Sequence, residues 1–183
     1  MAEYICFDKN VEVNGQTVLS TVNAFPEYMR IIGISILEKN NLKNVDKDEW
    51  YPQQSWLSSF KEIKDKYGAA TLFEIGKIIP TNAIFPKEID SLQKGLASID
   101  VAYHMNHKNG EIGYYKLISF DESKKTAIME CKNPYPCDFD RGIIIAISRK
   151  FAPKGSLKIS VELDSSKKNR KDGSDKSTYI IHW

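Results

Sequence analysis

Residues 86–120 read PKEIDSLQKGLASIDVAYHMNHKNGEIGYYKLISF, and the apolar period changes along this run. After Pro86, the apolar residues Ile89, Leu92, Leu96, Ile99 and Tyr103 fall at alternating gaps of three and four. That spacing makes one continuous stripe along a helix, which belongs at the centre of a core. Asn109-Gly110 then signals a turn, and Ile112–Phe120 reads as a strand. Helix hands over to strand inside this one segment.

Working outward, the chain is helical before this point and strand-rich after it. Val18–Leu37 is largely apolar and predicts a helix, with Pro26 as a break or turn near its beginning because proline lacks an amide donor and clashes inside a helix. Trp56, Leu57, Phe60 and Ile63 recur at helical spacing and mark a second helix closed near Gly68. Thr71–Ile78 reads as a third, halted by Gly76 or Pro80. Downstream, Thr126–Cys131 pairs with Ile112–Phe120 as a hairpin. A helix carrying Ile143, Ile144, Ile147 and Phe151 follows, capped by Asp138 or Asp140 and ended by Pro153 and Gly155. Leu157–Leu163 and Ser177–His182 are two further strands, and the polar tract 164–173 between them has the composition of an exposed or mobile hairpin tip. The expected fold class is α+β: N-terminal helices packed on a C-terminal antiparallel sheet of about four strands with an inserted helix. A single domain, 1–183, is expected, helical to about 108 and strand-rich from about 109.

Composition narrows the function classes. With 26 basic and 24 acidic side chains, no global field points to nucleic acid. No run of about 18 apolar residues exists to span a bilayer, and Met1–Lys9 lacks the basic-then-apolar pattern of a secretory signal, so the expected compartment is cytoplasmic. In a reducing compartment the three cysteines are thiols or metal-bound thiolates; Cys6, in an apolar context, reads as packing. There is no phosphate loop, no nucleophile elbow and no serine spaced to meet a histidine and a carboxylate, so an enzyme is the weaker expectation.

Two places carry chemistry. The run Glu130-Cys131-Lys132-Asn133-Pro134-Tyr135-Pro136-Cys137 sits between a strand and a helix and admits a thiolate metal site, a redox-sensitive cysteine pair, or a stiff turn whose cysteines seat the next helix. On the central helix, His104 and His107 are three apart, so neutral imidazoles there can share a metal or bond the last carbonyls of the helix. His107 continues the apolar stripe four residues after Tyr103, while His104 lies beside it, four residues after Asp100. Asp138, Asp140 and Arg141 read as helix-terminal capping and pairing. Trp50, Tyr51 and Trp56 read as a lid or edge of the core, and Trp183 as a packed anchor of the last strand.

A long helix ending in a histidine, a hairpin, the Gly142-Ile143-Ile144 helix and a last hairpin with Lys171-Asp172-Gly173-Ser174-Asp175 before its final strand are together similar to one superfamily. It groups haem nitric-oxide-binding (H-NOX) domains, four-vinyl-reductase domains, sensor domains of phenol-responsive activators and TRAPP trafficking subunits. The resemblance implies a haem-ligand position at His104, within a cofactor-binding set of Tyr103, His104 and His107. The haem-propionate signature Tyr-x-Ser-x-Arg is absent, and the cysteine loop stands in the matching stretch. The four-vinyl-reductase and phenol-sensor branches imply instead a structural zinc on Glu130, Cys131 and Cys137, which places zinc ahead of haem as the implied cofactor. The implied function is a sensory or regulatory domain that holds a small hydrophobic molecule or cofactor and signals by a packing change. The alternatives are a homodimeric scaffold or adaptor joined through Ile31, Ile32, Ile34, Ile36 and Leu37, and a tetrapyrrole-related enzyme or accessory protein.

Overall fold

Proline cannot continue a helix, and in the computed structural model, which describes residues 3–183, the first apolar segment divides at Pro26. Helix α1 (Gly15–Asn23) ends before it, a 3-10 turn (Glu27–Met29) follows, and α2 (Arg30–Lys39) continues. The expected helix over 18–37 is therefore two helices. Helix α3 (Gln53–Tyr67) runs to Gly68, whose φ of +84° turns the chain straight into α4 (Ala69–Ile78). Helix α5 (Leu92–Met105) is the predicted central helix, but it begins at Ser91, whose Oγ accepts from the Lys94 amide; Ile89 lies outside it.

Seven strands form two antiparallel sheets among the described residues. The larger has the order β4 (Tyr114–Asp121), β5 (Thr126–Lys132), β7 (Ser177–His182), β6 (Ser160–Leu163), which is the expected C-terminal sheet of four strands. Its register is anchored by Met129, paired with Leu117 on one side and Tyr179 on the other. Ala127, Met129 and Cys131 of β5 alternate inward, as the period of two requires. Helix α6 (Cys137–Phe151) is the inserted helix. The smaller sheet, β1 (Glu12–Asn14), β2 (Trp50–Pro52) and β3 (His107–Lys108), has the order β2-β1-β3 and lies outside the expected C-terminal sheet.

The helical and sheet halves share one buried cluster that includes Val13, Phe60, Leu96, Ile144, Tyr179 and Trp183. Trp183 is packed, stacking on Phe120 at 4.8 Å. Trp56 is not an edge residue: it sits at the centre, its indole N–H donating to Thr21 Oγ1 at 2.8 Å. Helices α4 and α6 cross with glycine on both sides. A Cβ on Gly76 would fall 2.1 Å from the Phe139 carbonyl oxygen, and one on Gly142 2.2 Å from that of Phe73.

Three further expectations are corrected. Helix α6 starts at Cys137 after Pro136; neither Asp138 nor Asp140 caps it, and the Cys137 amide donates instead to Glu3 Oε1 at 2.7 Å. The polar tract 164–173 is not merely an exposed tip, because Arg170 within it is 2% exposed. On α2, Ile31 and Ile34 are exposed while Ile36 and Leu37 are buried, so the apolar face proposed there for dimerisation is split.

Candidate functional site

Helical periodicity places Ile99 and Tyr103 of α5 on one line, and Phe139, Ile143 and Ile147 of α6 on another. These two lines, with Trp56 of α3 and the stretch from Ile79 to Phe85, surround a cavity of about 90 Å³. Its wall is aromatic and aliphatic, and none of the residues lining it is an aspartate, glutamate, lysine or arginine. Tyr115 and Tyr135 close its inner end, while the solvent-facing Ala83 and Ala102 border it outside.

The polar groups at this wall are satisfied by one another. His107 Nδ1 lies 2.8 Å from the Tyr103 carbonyl, so Nδ1 carries the proton and donates; Nε2 then accepts from Tyr135 Oη at 2.6 Å. Tyr135 Oη in turn accepts from Gln53 Nε2 at 3.0 Å. Burial pushes the His107 pKa down to about 4, which keeps the imidazole neutral. Tyr103 Oη donates to the Ile112 carbonyl at 2.5 Å, Thr17 Oγ1 to Asn106 Oδ1 at 3.1 Å, and Ser98 Oγ to the Gly95 carbonyl at 2.7 Å. Every hydroxyl of the wall is thus spent on the protein.

Behind Tyr115 and Tyr135 lies a buried polar network. Tyr115 Oη donates to Asp140 Oδ1 at 2.5 Å, Asn133 Nδ2 donates to Asp140 Oδ2 at 3.2 Å, and the Arg170 guanidinium pairs with Asp140 Oδ2. Asn133 Oδ1 accepts both from the Tyr135 amide at 3.0 Å and from Arg170. Arg170 also reaches the Asn133 carbonyl at 2.6 Å and Ser177 Oγ at 3.2 Å. Burial opposes the charge on Arg170, yet the Asp140 carboxylate holds its pKa well above the ordinary value. Removing either charge from so dry a place would strand the other.

The expected site residues are distributed unevenly around this geometry. Tyr103 and His107 line the cavity; His104 does not. The His104 side chain is 51% exposed, with Nδ1 2.9 Å from the Asp100 carbonyl and 3.5 Å from the Asp100 carboxylate. Asp100 Oδ1 also accepts from the Tyr115 amide at 2.8 Å, which ties α5 to β4. Glu130 and Cys131 are neighbours on a strand and face opposite ways. Glu130 meets Lys176 at 2.7 Å and Tyr114 Oη at 2.8 Å, while Cys131 and Cys137 are buried free thiols. Burial raises both thiol pKa values, which disfavours the thiolates that a metal or an oxidant requires. Among the described residues, no three His, Cys, Asp or Glu side chains gather as a metal site. Gln53, Asn133, Asp140 and Arg170 stand behind the inner wall and hold Tyr115 and Tyr135 in place; of these the sequence marks only Asp140, for a different role. Their partners are far apart in sequence, and no local period marks them.

No family model matches the sequence, and no curated protein does. Solved structures do. An oxygen-binding H-NOX domain related to soluble guanylate cyclases is 20% identical, with a TM-score of 0.62 over 92% of this chain and 94% of its own. An H-NOX domain studied for the function of haem distortion is 19% identical, with a TM-score of 0.62 over 93% and 94%. A third solved structure, from work on modulating haem redox potential through protein-induced porphyrin distortion, is 16% identical at a TM-score of 0.57 over 93% and 99%. The chain has an H-NOX-like α+β fold. No described helix is long and apolar enough to cross a membrane.

Proposed function

We propose that this chain is a sensory or regulatory ligand-binding domain whose ligand is small, uncharged and apolar. The observation that carries the reading is the cavity itself: an apolar wall whose hydroxyls are all spent internally, with no charge facing the void. An anionic or acceptor-rich ligand would find no free hydroxyl donor there, and no side-chain charge to pair with. An apolar one gains by leaving water, as it does in engineered dry cavities. The H-NOX-like fold supports the reading by analogy, since one neighbour is an oxygen-binding domain.

The residues do not fit a haem. Pockets for drug-sized ligands run from about 300 Å³ upward, and about 90 Å³ is left between the rings of Trp56, Tyr115, Tyr135 and Phe139. His104 stands outside that space, and the outer nitrogen of His107 is held by Tyr135. The same volume argues against a bound tetrapyrrole as substrate.

Titrating benzene into protein with labelled isoleucine methyls tests the reading. Saturable shifts at Ile99, Ile143 and Ile147 are expected, absent with benzoate and absent in Ile143→Phe, whose ring fills the void. Unmoved methyls, or benzoate acting as well as benzene, would overturn it. A second reading, a module that pairs with a copy of itself, is favoured by Tyr28, Ile31 and Ile34, at 82%, 75% and 45% exposure on and beside α2. Sedimentation should then show a dimer that Ile31→Lys dissociates, and a monomer at all concentrations would remove this reading.

A further inference from the structure

We infer that segment 164–176 is a latch whose attachment to the core reports whether the cavity is filled. This rests on the ligand-binding reading above. The segment is polar and surface-borne, yet it drives one side chain, Arg170, into the interior. A capped 3-10 turn holds that side chain in place: Asn169 and Asp172 bond reciprocally across Arg170–Asp172, and Gly173 leaves the turn at φ +81°.

Arg170 dominates the segment's attachment. Its other ties include the Arg170 amide on Ser177 Oγ at 3.1 Å, the Asp164 amide on the Thr178 carbonyl at 2.9 Å and ion pairs at the surface, Lys171 with Asp138 at 2.7 Å and Lys176 with Glu130 at 2.7 Å. Exposed pairs of that kind contribute little, whereas a buried charge with several hydrogen bonds resists removal strongly.

The partners of Arg170 are also those of the cavity wall. Asp140 takes the Tyr115 hydroxyl on one oxygen and Arg170 on the other. Asn133 holds the Tyr135 amide and Arg170 on the same oxygen. Tyr115 and Tyr135 are the rings at the inner end of the cavity. A molecule that outgrows about 90 Å³, as benzene does by comparison with the dry cavity of about 150 Å³ that binds it, displaces side chains of the wall, and displacement at the inner end falls on those two rings. Pushing Tyr115 takes a donor from Asp140, and pushing Tyr135 pulls on Asn133. Each weakens the hold on Arg170 from inside, so ligand binding and release of the segment become two sides of one equilibrium.

Hydrogen exchange over 164–176 reads the latch directly. Arg170→Gln sets the released limit, with exchange at least about tenfold faster than wild type. Tyr115→Phe keeps the ring in the wall and removes only its bond to Asp140, and should speed the segment severalfold while leaving β6 and β7 slow. Saturating benzene should do the same to the wild type and add nothing in Arg170→Gln. If the isoleucine methyls report bound benzene and the segment does not respond, the coupling is wrong and the ligand reading survives. If benzene does not bind, the ligand reading fails, and Tyr115→Phe decides the coupling alone: exchange at the wild-type rate overturns it. Should Arg170→Gln not fold, the double replacement Asp140→Leu/Arg170→Met, which strands no charge, supplies the released limit.

Discussion

His107 is neutral in the folded chain because burial holds its pKa at about 4, against 6.5 for an exposed imidazole. Between these values the unfolded chain takes up a proton that the folded chain refuses, so stability falls as pH drops through the window. The loss attributable to this one group is about 3 kcal/mol. Urea unfolding at pH 7 and pH 4 should show wild type losing that much more than His107→Gln, and equal losses would mean that His107 titrates as if exposed. Tyr135→Phe keeps the ring contacts but leaves the Gln53 amide and the outer nitrogen of His107 without a partner, for an expected cost of about 1–3 kcal/mol in the same assay. Asp140→Asn strands the Arg170 guanidinium and should cost about 3–5 kcal/mol, while the double replacement Asp140→Leu/Arg170→Met costs clearly less. A double variant as unstable as the single one would show that the pair holds up the fold by more than mutual charge. His107 could be located from its place on the apolar stripe, but its hydrogen-bond partners could not. Gln53 and Tyr135 lie at opposite ends of a helix and a loop, and Arg170 sits in a tract whose average composition reads as solvent-exposed.

At the scale of elements, the α4–α6 crossing depends on the absence of two side chains. Gly76→Ala and Gly142→Ala each place a Cβ against a backbone carbonyl of the facing helix, which cannot rotate away as a side chain can. Both should lower the thermal midpoint by well over 10 °C, if they fold at all, in a domain of this size. Gly155→Ala, with open space around the new methyl and only a φ of +90° to strain it, should cost about 1 kcal/mol. Small effects at 76 and 142 would show that the helices can part without harm. Long elements with a strong period were readable from sequence: the α5 stripe, the β5 alternation and the four C-terminal strands. The β2-β1-β3 sheet was not, because strands of two or three residues are too short to display a period and owe their existence to pairing across the fold. Ile89 misleads for the opposite reason: it keeps the period, but the Ser91 cap starts the helix only after it.

For the molecule as a whole, the buried cluster runs without interruption from the first strand to the last residue, so the helical and sheet halves should unfold together. Far-ultraviolet dichroism and tryptophan fluorescence, the latter sensing Trp56 in the helical part and Trp183 against the sheet, should trace one coincident denaturant curve. Two separated transitions would divide the chain near residue 108. The pairing of β1 also sets an order of events in time. Glu12 pairs with both Pro52 and Lys108, and the Tyr4 amide donates to the Pro134 carbonyl. On the ribosome, the opening residues emerge long before the partners that hold them, and bringing such distant segments together is slow. Until residues 50–53 and 107–108 have left the exit tunnel, Val11 and Val13 lack the strands they pair with, and they are among the apolar side chains that a chaperone would meet on the nascent protein.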